Sequence, residues 1–183
     1  MEELEMTILE GEERMDKAIE AYIRELSTVR TGKANASLLD TISIDYYGVA
    51  TPIKQISSIT IPEANQLYIK PFDKTSLKAI ETAIFASTLG LTPQNDGAGI
   101  RLILPKMTEE RRRELVKTVG KLEENAKVAI RNIRRDLNDE IKKASITEDQ
   151  EKEELADVQE LTDKKISEIE KITSKKNEDL MSF

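Results

Sequence analysis

Three closely spaced arginines are the residues of this sequence best suited to binding chemistry. Arg131, Arg134 and Arg135 lie within the stretch AIRNIRRDLND at residues 129–139. Spacings of three and four residues place side chains on one face of an α-helix. Each guanidinium offers a planar fork of donors that matches the oxygens of a phosphate. The stretch therefore predicts contact with a phosphate-rich partner, although the whole chain has a formal charge of -7.

The basic character extends along a longer segment. Residues 101–143 contain thirteen Lys and Arg against eight Asp and Glu, which gives a local charge of +5 in an acidic chain. At about 100° per residue, seven cations fall within one arc of a helix, on the side away from its apolar positions. We call these residues the basic stripe: Arg113, Lys117, Lys127, Arg131, Arg134, Arg135 and Lys142.

The basic stripe has two interpretations. It is either a solvated surface whose charges pair with the acidic residues at 151–160, or a face that binds phosphates. Arg131 and Arg135 project too far from the apolar seam to reach a neighbouring helix easily, which favours the phosphate partner. RNA fits better than a membrane surface, because a helix bound to lipid needs its apolar face free.

Residue types that the chain lacks narrow the classes of function. The sequence has no cysteine and no histidine. Disulfides, thiolate metal sites, thiol nucleophiles and the Ser–His–Asp arrangement are therefore excluded. We expect no catalytic residue, no cofactor and no metal site. The acidic start, MEELEMTILEGEERM, resembles neither a signal peptide nor a presequence, so we expect a cytoplasmic location. The longest uncharged stretch cannot span a bilayer.

Three other motifs give weaker signals. RTGKA, at residues 30–34, lacks the spaced glycine and the Ser or Thr of a phosphate-binding P-loop. Carboxylates at helical spacing between residues 149 and 157 suit a cation, but such carboxylates are more often plain surface. Tyr46, Tyr47 and Tyr68 offer rings that stack on bases, although aromatic residues that alternate in strands are more often packed.

Long amphipathic helices must position the basic stripe. Apolar residues recur at helical spacing from Met1 to about Val29, where Gly32 predicts the end of the helix. A second stripe runs for some thirty residues after Thr108, which is the predicted N-cap. TEDQ, at residues 147–150, matches a capping box and opens a third helix. The apolar stripe predicted to face the core on this helix is Leu155, Val158, Leu161, Ile166, Ile169, Ile172 and Leu180.

The middle of the chain has a different period. Alternating apolar residues predict strands at residues 42–46, 59–61, 67–69 and 100–104. A helix between residues 73 and 87 interrupts them and could cover one face of a small sheet. QNDGAG, just before the last of these strands, predicts a tight turn.

Three apolar stripes bury one another most simply as a bundle. The predicted fold class is α+β, with a three-helix bundle of long antiparallel helices and an inserted small β/α/β domain. Residues 1–30 and 106–183 form the predicted bundle domain, and residues 31–105 form the inserted domain. The chain crosses between them twice, at Thr31–Gly32 and at Pro105–Lys106, and such a pair of crossings can act as a hinge.

Seven longer motifs are spread along the chain: RMDKAIEA (14–21), VRTGKANASLLD (29–40), YYG (46–48), TPIKQISSITI (51–61), TEERRREL (108–115), VAIRNIRRDLND (128–139) and LTDKKISEIEK (161–171). They resemble the motifs of the ribosome recycling factor family, and the resemblance covers essentially the whole chain. Together the motifs are highly specific, whereas no single one is. The connection KKASITEDQ is shorter than is typical of the family, which affects only the length of the helix ends and any contact made at that tip.

The resemblance implies both a fold and a function. Family members are three-helix bundles with an inserted β/α/β domain. They bind the post-termination ribosome and, with elongation factor G and its GTP hydrolysis, help to separate the subunits. The implied partners of a monomeric chain are large-subunit ribosomal RNA and elongation factor G, with no membrane. The implied RNA-binding residues are Arg112, Arg131, Arg134 and Arg135, with Arg134 foremost, to which the geometry of the stripe adds Arg113 and Lys127.

Two other classes of function compete with this one. A helical scaffold or chaperone-like protein would bind its clients through acidic and apolar seams. Three stripes that bury one another leave no large apolar face for that purpose. An enzyme would have to work with carboxylates alone. Association with ribosomes that weakens with salt distinguishes the first hypothesis from both alternatives.

Overall fold

The computed structural model describes residues 2–182, which form two compact units. Residues 2–30 and 109–182 make the helical unit, and residues 31–108 make the smaller unit. Long helices together with small sheets confirm the predicted α+β class. In chain order the elements are α1 (Glu2–Ser27), β1 (Ser43–Tyr46), β2 (Val49–Pro52), α2 (Ile53–Ile56), β3 (Ser57–Thr60), β4 (Gln66–Pro71), α3 (Leu77–Ala86), β5 (Gln94–Asn95), β6 (Ile100–Ile103), α4 (Glu109–Lys143) and α5 (Glu148–Met181).

The helical unit is built by the apolar stripes that the sequence predicted. α4 and α5 are antiparallel, because Lys127 meets Glu170 whereas Arg134, further along α4, meets Gln159. Between residues 2 and 182, no helix combines the length and apolarity needed to cross a membrane. Apolar residues buried along α1 and α4 are Leu4, Met15, Ile19, Tyr22 and Leu26, and Leu115, Val119, Ala126, Ile130, Ile133, Leu137 and Ile141.

α1 ends earlier than the sequence predicted. The helix stops at Ser27, and Gly32, with a φ of +75°, lies beyond it rather than at its C-terminus. The hydroxyls of Ser27 and Thr28 donate to the carbonyls of Arg24 and Glu25 at 2.6 and 2.7 Å. These bonds satisfy acceptors that a helix end leaves open, so a glycine cap is not needed there.

The start of α5 confirms the predicted capping box. Thr147 Oγ1 accepts a hydrogen bond from the Gln150 N–H at 3.3 Å. Gln150 Oε1 in return accepts from the Thr147 N–H at 3.0 Å. Two backbone donors that the helix itself cannot satisfy are thereby paired. The tip between α4 and α5 is thus a short connection with a defined helix start.

The inner face of α5 is more polar than its sequence indicated. Thr162, Lys165 and Thr173 are buried, whereas several leucines and isoleucines predicted to face the core are only half-buried. Because Thr173 Oγ1 donates to the Ile169 carbonyl, the Tyr22 hydroxyl must be the donor in its 2.5 Å bond to Thr173. Burial raises the pKa of Tyr22, which keeps this donor protonated. Hydrogen bonds thus fix how α1 meets α5.

A buried lysine makes a second polar contact between α1 and α5. The side chain of Lys165 is only 7% exposed, and its Nζ lies 2.6 Å from Asp16 Oδ1 and 3.7 Å from Glu12 Oε1. Burial lowers the pKa of Lys165, but the hydrogen bond to Asp16 and the surrounding carboxylates outweigh it, so the pKa is raised overall. The charged form is therefore the one that the fold stabilises.

Replacing Asp16 with Asn should destabilise the helical unit by roughly 1–2 kcal/mol near neutral pH. Lys165 would keep its buried charge without its charge-assisted hydrogen bond, although Asp16 is half-exposed and water limits the effect. A lysine with a raised folded pKa stabilises the fold below its unfolded pKa of about 10.4 and stops doing so as pH rises through the folded value. The difference in the free energy of unfolding between wild type and Asp16→Asn should therefore disappear in alkaline solution.

Urea unfolding at a series of pH values measures this difference in the free energy of unfolding. Glu12→Gln is the matched control, because Glu12 lies further from the same ammonium, and we expect less than half of the effect. A deficit in Asp16→Asn that stays constant from pH 7 to pH 11.5 would show that the Lys165 charge is not responsible.

The smaller unit contains two antiparallel sheets around one core. β1 and β2 form a two-stranded hairpin, and the second sheet has the strand order β3-β4-β6-β5. Ile59 pairs with Ile69, which in turn pairs with Ile100, so one sheet face is apolar. The core lies against that face and includes Leu39, Ile53, Leu67, Ile69, Ile80, Ile84, Ile100 and Leu102, all fully buried.

The sequence predicted one turn of the smaller unit correctly and missed another. The turn before β6 is as expected, because Asp96 accepts hydrogen bonds from the backbone N–H groups of Ala98 and Gly99 at 3.0 and 2.8 Å. The β1–β2 hairpin was not predicted. Its second strand, VATP, has no alternation of apolar and polar residues, and its turn places Tyr47 as well as Gly48 at positive φ.

Candidate nucleic-acid interface

The predicted RNA-binding residues all lie on α4, which is 35 residues long. A helix of that length extends for about 50 Å. Its buried residues face α1 and α5, and its opposite side carries most of the basic stripe. The helix therefore presents a row of cations, and the partners of each cation decide what it can bind.

Arg134 is held in place by a chain of hydrogen bonds to α5. Its Nη1 donates to Gln159 Oε1 at 3.1 Å, and Gln159 Nε2 donates to Asp163 Oδ1 at 2.9 Å. The side chain is half-buried, and its Nε has no hydrogen-bond partner among residues 2–182. Because its one side-chain partner is a neutral amide, Arg134 retains its full charge and a fixed orientation.

Arg131 and Arg135 lie on either side of Arg134 and are more accessible. Arg131 Nη1 is 3.0 Å from Glu124 Oε1, in a pair whose two side chains are both exposed. Such a pair contributes at most about 1 kcal/mol, and a phosphate can displace it. The Arg135 side chain is exposed and makes no hydrogen bond or ion pair within residues 2–182. The three arginines thus form one accessible cationic cluster.

Lys127 does not occupy the solvent side of α4, so its predicted placement was wrong. Its side chain is only 15% exposed and contacts Glu123 at 2.8 Å and Glu170 at 2.9 Å. The hydrogen bonds to these two carboxylates raise the pKa of Lys127. The 100° rule places Lys127 between Arg131 and Arg134, but α5 covers this part of the helix and supplies Glu170, a carboxylate that the sequence alone could not assign. Its charge is therefore already neutralised inside the bundle.

Arg112 and Arg113 lie at the start of α4, roughly 30 Å along the helix from Arg131. Arg113 Nη2 is 2.6 Å from Glu109 Oε1 in an exposed pair. Arg112 precedes the buried Leu115 by three residues and therefore lies toward the core side; it is half-buried, and its Nε has no partner among residues 2–182. These two arginines are separate from the cluster at Arg131–Arg135.

Asn138 belongs to the cluster, although the charge pattern of the sequence did not point to it. It follows Arg134 by four residues and Arg135 by three, so it shares their face. The side chain is half-buried, and its Oδ1 accepts no hydrogen bond from residues 2–182. The spacing of Asn138 from the two arginines was visible in the sequence, but the prediction was based on charged residues only and therefore missed it.

The predicted hinge residues lie at the two ends of the smaller unit. Neither Thr31–Gly32 nor Pro105–Lys106 belongs to a helix or strand. The backbone N–H of Ala34 and that of Leu104 donate at 2.7 and 2.8 Å to the carbonyls of residues 64–65. One loop therefore anchors both ends of the unit, so the two connections leave it side by side. Their action as a hinge stays a prediction.

The electrostatics of the cluster suit a phosphate backbone. Three guanidinium groups within one turn and a half of a rigid helix offer forked donors at a spacing that successive phosphates can use. Their existing partners are a neutral amide, one exposed carboxylate and, for Arg135, no side chain of residues 2–182. Binding a phosphate therefore requires little rearrangement and breaks no buried ion pair.

Known proteins with similar sequences share one family. The family model described as ribosome recycling factor matches residues 22–181. The ribosome-recycling factor of Acholeplasma laidlawii is 57% identical over 180 residues, which cover 98% of each chain. That of Bacillus subtilis is 52% identical over 178 residues, or 95% of this chain and 96% of the relative.

Solved structures agree with the sequence relatives. A solution structure of the ribosome recycling factor matches with a TM-score of 0.82 and 42% identity over the whole of both chains. A second match is the T. thermophilus ribosome recycling factor, described together with E. coli elongation factor G bound to the E. coli post-termination complex. Its TM-score is 0.66, with 37% identity over 97% of this chain and 98% of the other. Sequence and fold lead to the same conclusion: the chain belongs to the ribosome recycling factor family.

Proposed function

We propose that this chain binds the post-termination ribosome and, with elongation factor G and GTP, promotes separation of the subunits for a new round of translation. The observation that carries the proposal is the extent of the match, since relatives above 50% identity that bear this name align over nearly the whole chain. A related chain has been described with elongation factor G on the post-termination complex.

The cationic cluster of α4 is our proposed contact with large-subunit ribosomal RNA. Arg131, Arg134 and Arg135 are accessible, share one face, and keep most of their donors available for phosphate. Arg113 lies on the same face near the start of α4, whereas Arg112, half-buried toward the core side, is a separate and less accessible candidate. Lys127 contributes less, because two carboxylates already neutralise it. Acidic residues elsewhere in the chain repel RNA and restrict docking to this surface.

The mechanism that we propose is mechanical and requires no catalysis by this chain. The helical unit binds RNA as a rigid body, while the residues at Thr31–Gly32 and Pro105–Lys106 allow the smaller unit to rotate. Elongation factor G, which hydrolyses the GTP, then converts its own conformational change into movement of the bound protein. The chain would act in the cytoplasm as a monomer and would need no cofactor.

A subunit-splitting assay tests the proposal. Purified post-termination ribosomes are mixed with the chain, elongation factor G and GTP, and dissociation is followed by light scattering. We expect dissociation only when all three are present, and none with a GTP analogue that cannot be hydrolysed. Splitting without elongation factor G, or no splitting in the complete mixture, would contradict the proposed function.

A further inference from the structure

The outer face of the four-stranded sheet carries side chains that the core of the smaller unit does not use. Successive residues of a strand point to opposite sides, and along β4 and β6 buried residues alternate with more exposed ones. On the outer side, Tyr68 lies between Thr60 of β3 and Arg101 of β6, and Lys70 lies beside Ser58. We call Ser58, Thr60, Tyr68, Lys70 and Arg101 the sheet platform.

The ring of Tyr68 is held in a fixed position on the platform. Its hydroxyl donates to Asp96 Oδ2 at 3.0 Å. The backbone N–H groups of Gly99 and Ala98 hold the pKa of Asp96 below its usual value, so this acceptor is ionised. A Cβ at Gly99 would lie only 2.6 Å from Tyr68 Cζ. The ring therefore fills the space that a side chain at position 99 would otherwise occupy.

Arg101 adds a second planar group beside the ring. Its Cζ lies 5.4 Å from the centroid of the Tyr68 ring, within the range of a cation–π contact. Arg101 Nη1 donates to Gln66 Oε1 at 2.7 Å, and Gln66 Nε2 donates to Glu63 Oε2 at 3.2 Å. The same series of a carboxylate, a glutamine and an arginine orients Arg134 on α4. Arg101 is thus oriented by a neutral amide.

The charges around the platform indicate that stacking must supply most of its binding energy. The side chain of Lys70 is exposed and makes no hydrogen bond or ion pair within residues 2–182. Asp96 and Glu63 border the platform, and their contacts are with backbone N–H groups, the Tyr68 hydroxyl and an amide. Two cations and two carboxylates nearly balance, so charge alone would not attract a nucleic acid to this face.

An oriented ring and guanidinium suit the face of an unpaired base. Proteins that bind single-stranded RNA stack its bases on aromatic rings and on guanidinium planes. Strands lie about 4.8 Å apart, so the three strands of the platform span about 10 Å, which is room for one or two bases. The hydroxyls of Ser58 and Thr60 can donate and accept, as a ribose 2′-hydroxyl requires. Lys70 is available to a phosphate.

We propose that the sheet platform binds one or two unpaired nucleotides of ribosomal RNA, as a contact separate from that of the α4 cluster. The ribosomal source rests on the proposed function, because a chain docked through α4 meets ribosomal RNA at high effective concentration. A protein partner fits less well, because hydroxyls and charges rather than apolar side chains surround the Tyr68 ring. The platform is the weaker of the two contacts and forms after the α4 cluster has docked.

NMR titration of the full chain with two RNA probes tests the platform itself. The probes are single-stranded hexa-adenylate and a short GC-rich RNA duplex, whose bases are not available for stacking. We expect hexa-adenylate to shift the amide signals of the platform and of α4, and the duplex to shift those of α4 alone. The dissociation constant of the platform is read from its own amide signals, which separates it from binding at α4.

Two substitutions distinguish stacking from charge. Tyr68→Val removes the ring and keeps a residue suited to a strand, and Arg101→Lys keeps the charge but removes the planar group. We expect the platform to lose at least about fivefold in affinity for hexa-adenylate in Tyr68→Val, the lower end of the effect of one base–aromatic stack, and less in Arg101→Lys. Phe85→Leu is the matched control, since it removes an exposed ring from α3, and its affinity should equal that of wild type.

Three results of the titration would overturn the inference. The first is the absence of shifts at the platform with hexa-adenylate, and the second is equal shifts there with the duplex. The third is unchanged affinity in Tyr68→Val while the signals of the core residues show that the unit is folded.

Cross-linking with post-termination ribosomes tests the source of the RNA. Lys70→Cys places a photoreactive probe on the platform, and Thr82→Cys places it on the exposed side of α3. We expect cross-links to ribosomal RNA from position 70 and few or none from position 82. Cross-links from position 70 to messenger RNA or to protein alone would overturn the assignment. A chain that does not bind ribosomes would instead refute the proposed function, on which the titration with hexa-adenylate does not depend.

Discussion

Arg134→Glu should lower the affinity of the chain for the large ribosomal subunit by about 10- to 100-fold at moderate salt. Hydrogen bonds to charged groups contribute roughly 1.5–3 kcal/mol each, and the new carboxylate would repel the same phosphate. Because Arg134 is oriented by Gln159 rather than paired with a carboxylate, no residue of the bundle neutralises its charge. The slope of log affinity against log salt should also fall by roughly 0.7–0.9 for each phosphate that the variant no longer neutralises.

Sedimentation with isolated large subunits across a salt series measures both quantities. Lys143→Glu is the control, because it changes the net charge equally but lies nine residues further along α4, on the opposite side of the helix. We expect the control to retain nearly all of its affinity. Equal losses of affinity in the two variants would mean that binding depends only on net charge. Unchanged affinity in both would show that Arg134 is not part of the interface.

Gly99→Ala should destabilise the smaller unit by roughly 1–3 kcal/mol, which is the usual effect of overpacking. A Cβ at this position would lie 2.6 Å from Tyr68 Cζ and Oη and 2.8 Å from the carbonyl oxygen of Ile69. The tyrosine ring could turn aside, at the expense of its 3.0 Å hydrogen bond to Asp96. The carbonyl belongs to β4 and cannot move without disturbing the sheet.

Hydrogen exchange of the β4 and β6 amides reports the stability of this unit separately. The double variant Gly99→Ala, Tyr68→Ala relieves only the side-chain contact, so we expect it to remain less stable than Tyr68→Ala alone. Gly120→Ala is the reference, because the added Cβ would meet no atom within 4 Å beyond its own stretch of helix, and a mid-helix alanine should stabilise α4 by about 1 kcal/mol. Unchanged exchange in Gly99→Ala would contradict the packing described for β4 and β6.

The sequence predicted those parts of the fold that depend on local periodicity. The stripes of α1 and α4, the capping box of α5 and the turn before β6 all arise from residues within a few positions of one another. The inner face of α5 was misjudged for the opposite reason. Thr173 and Lys165 are buried because Tyr22 and Asp16 of another helix satisfy them. Such pairings become visible only when the helices are packed.

The candidate site shows the same division between local and tertiary information. Helical spacing placed Arg131, Arg134 and Arg135 on one face, and the structure brings them together there. The spacing did not reveal that Lys127 is neutralised by Glu170, because that carboxylate lies on α5. Which cations are available to a ligand therefore depends on the bundle and cannot be counted from α4 alone.

Site-directed cross-linking tests the central claim most directly, namely that the α4 cluster contacts large-subunit ribosomal RNA. The chain has no cysteine, so one introduced thiol carries the photoreactive probe without ambiguity. Arg135→Cys places the probe in the cluster, and Thr118→Cys places it on another exposed face of the same helix. With large subunits, we predict cross-links to ribosomal RNA from position 135 and few or none from position 118. Cross-links from position 135 to protein alone, or equal RNA cross-linking from both positions, would contradict the proposed interface.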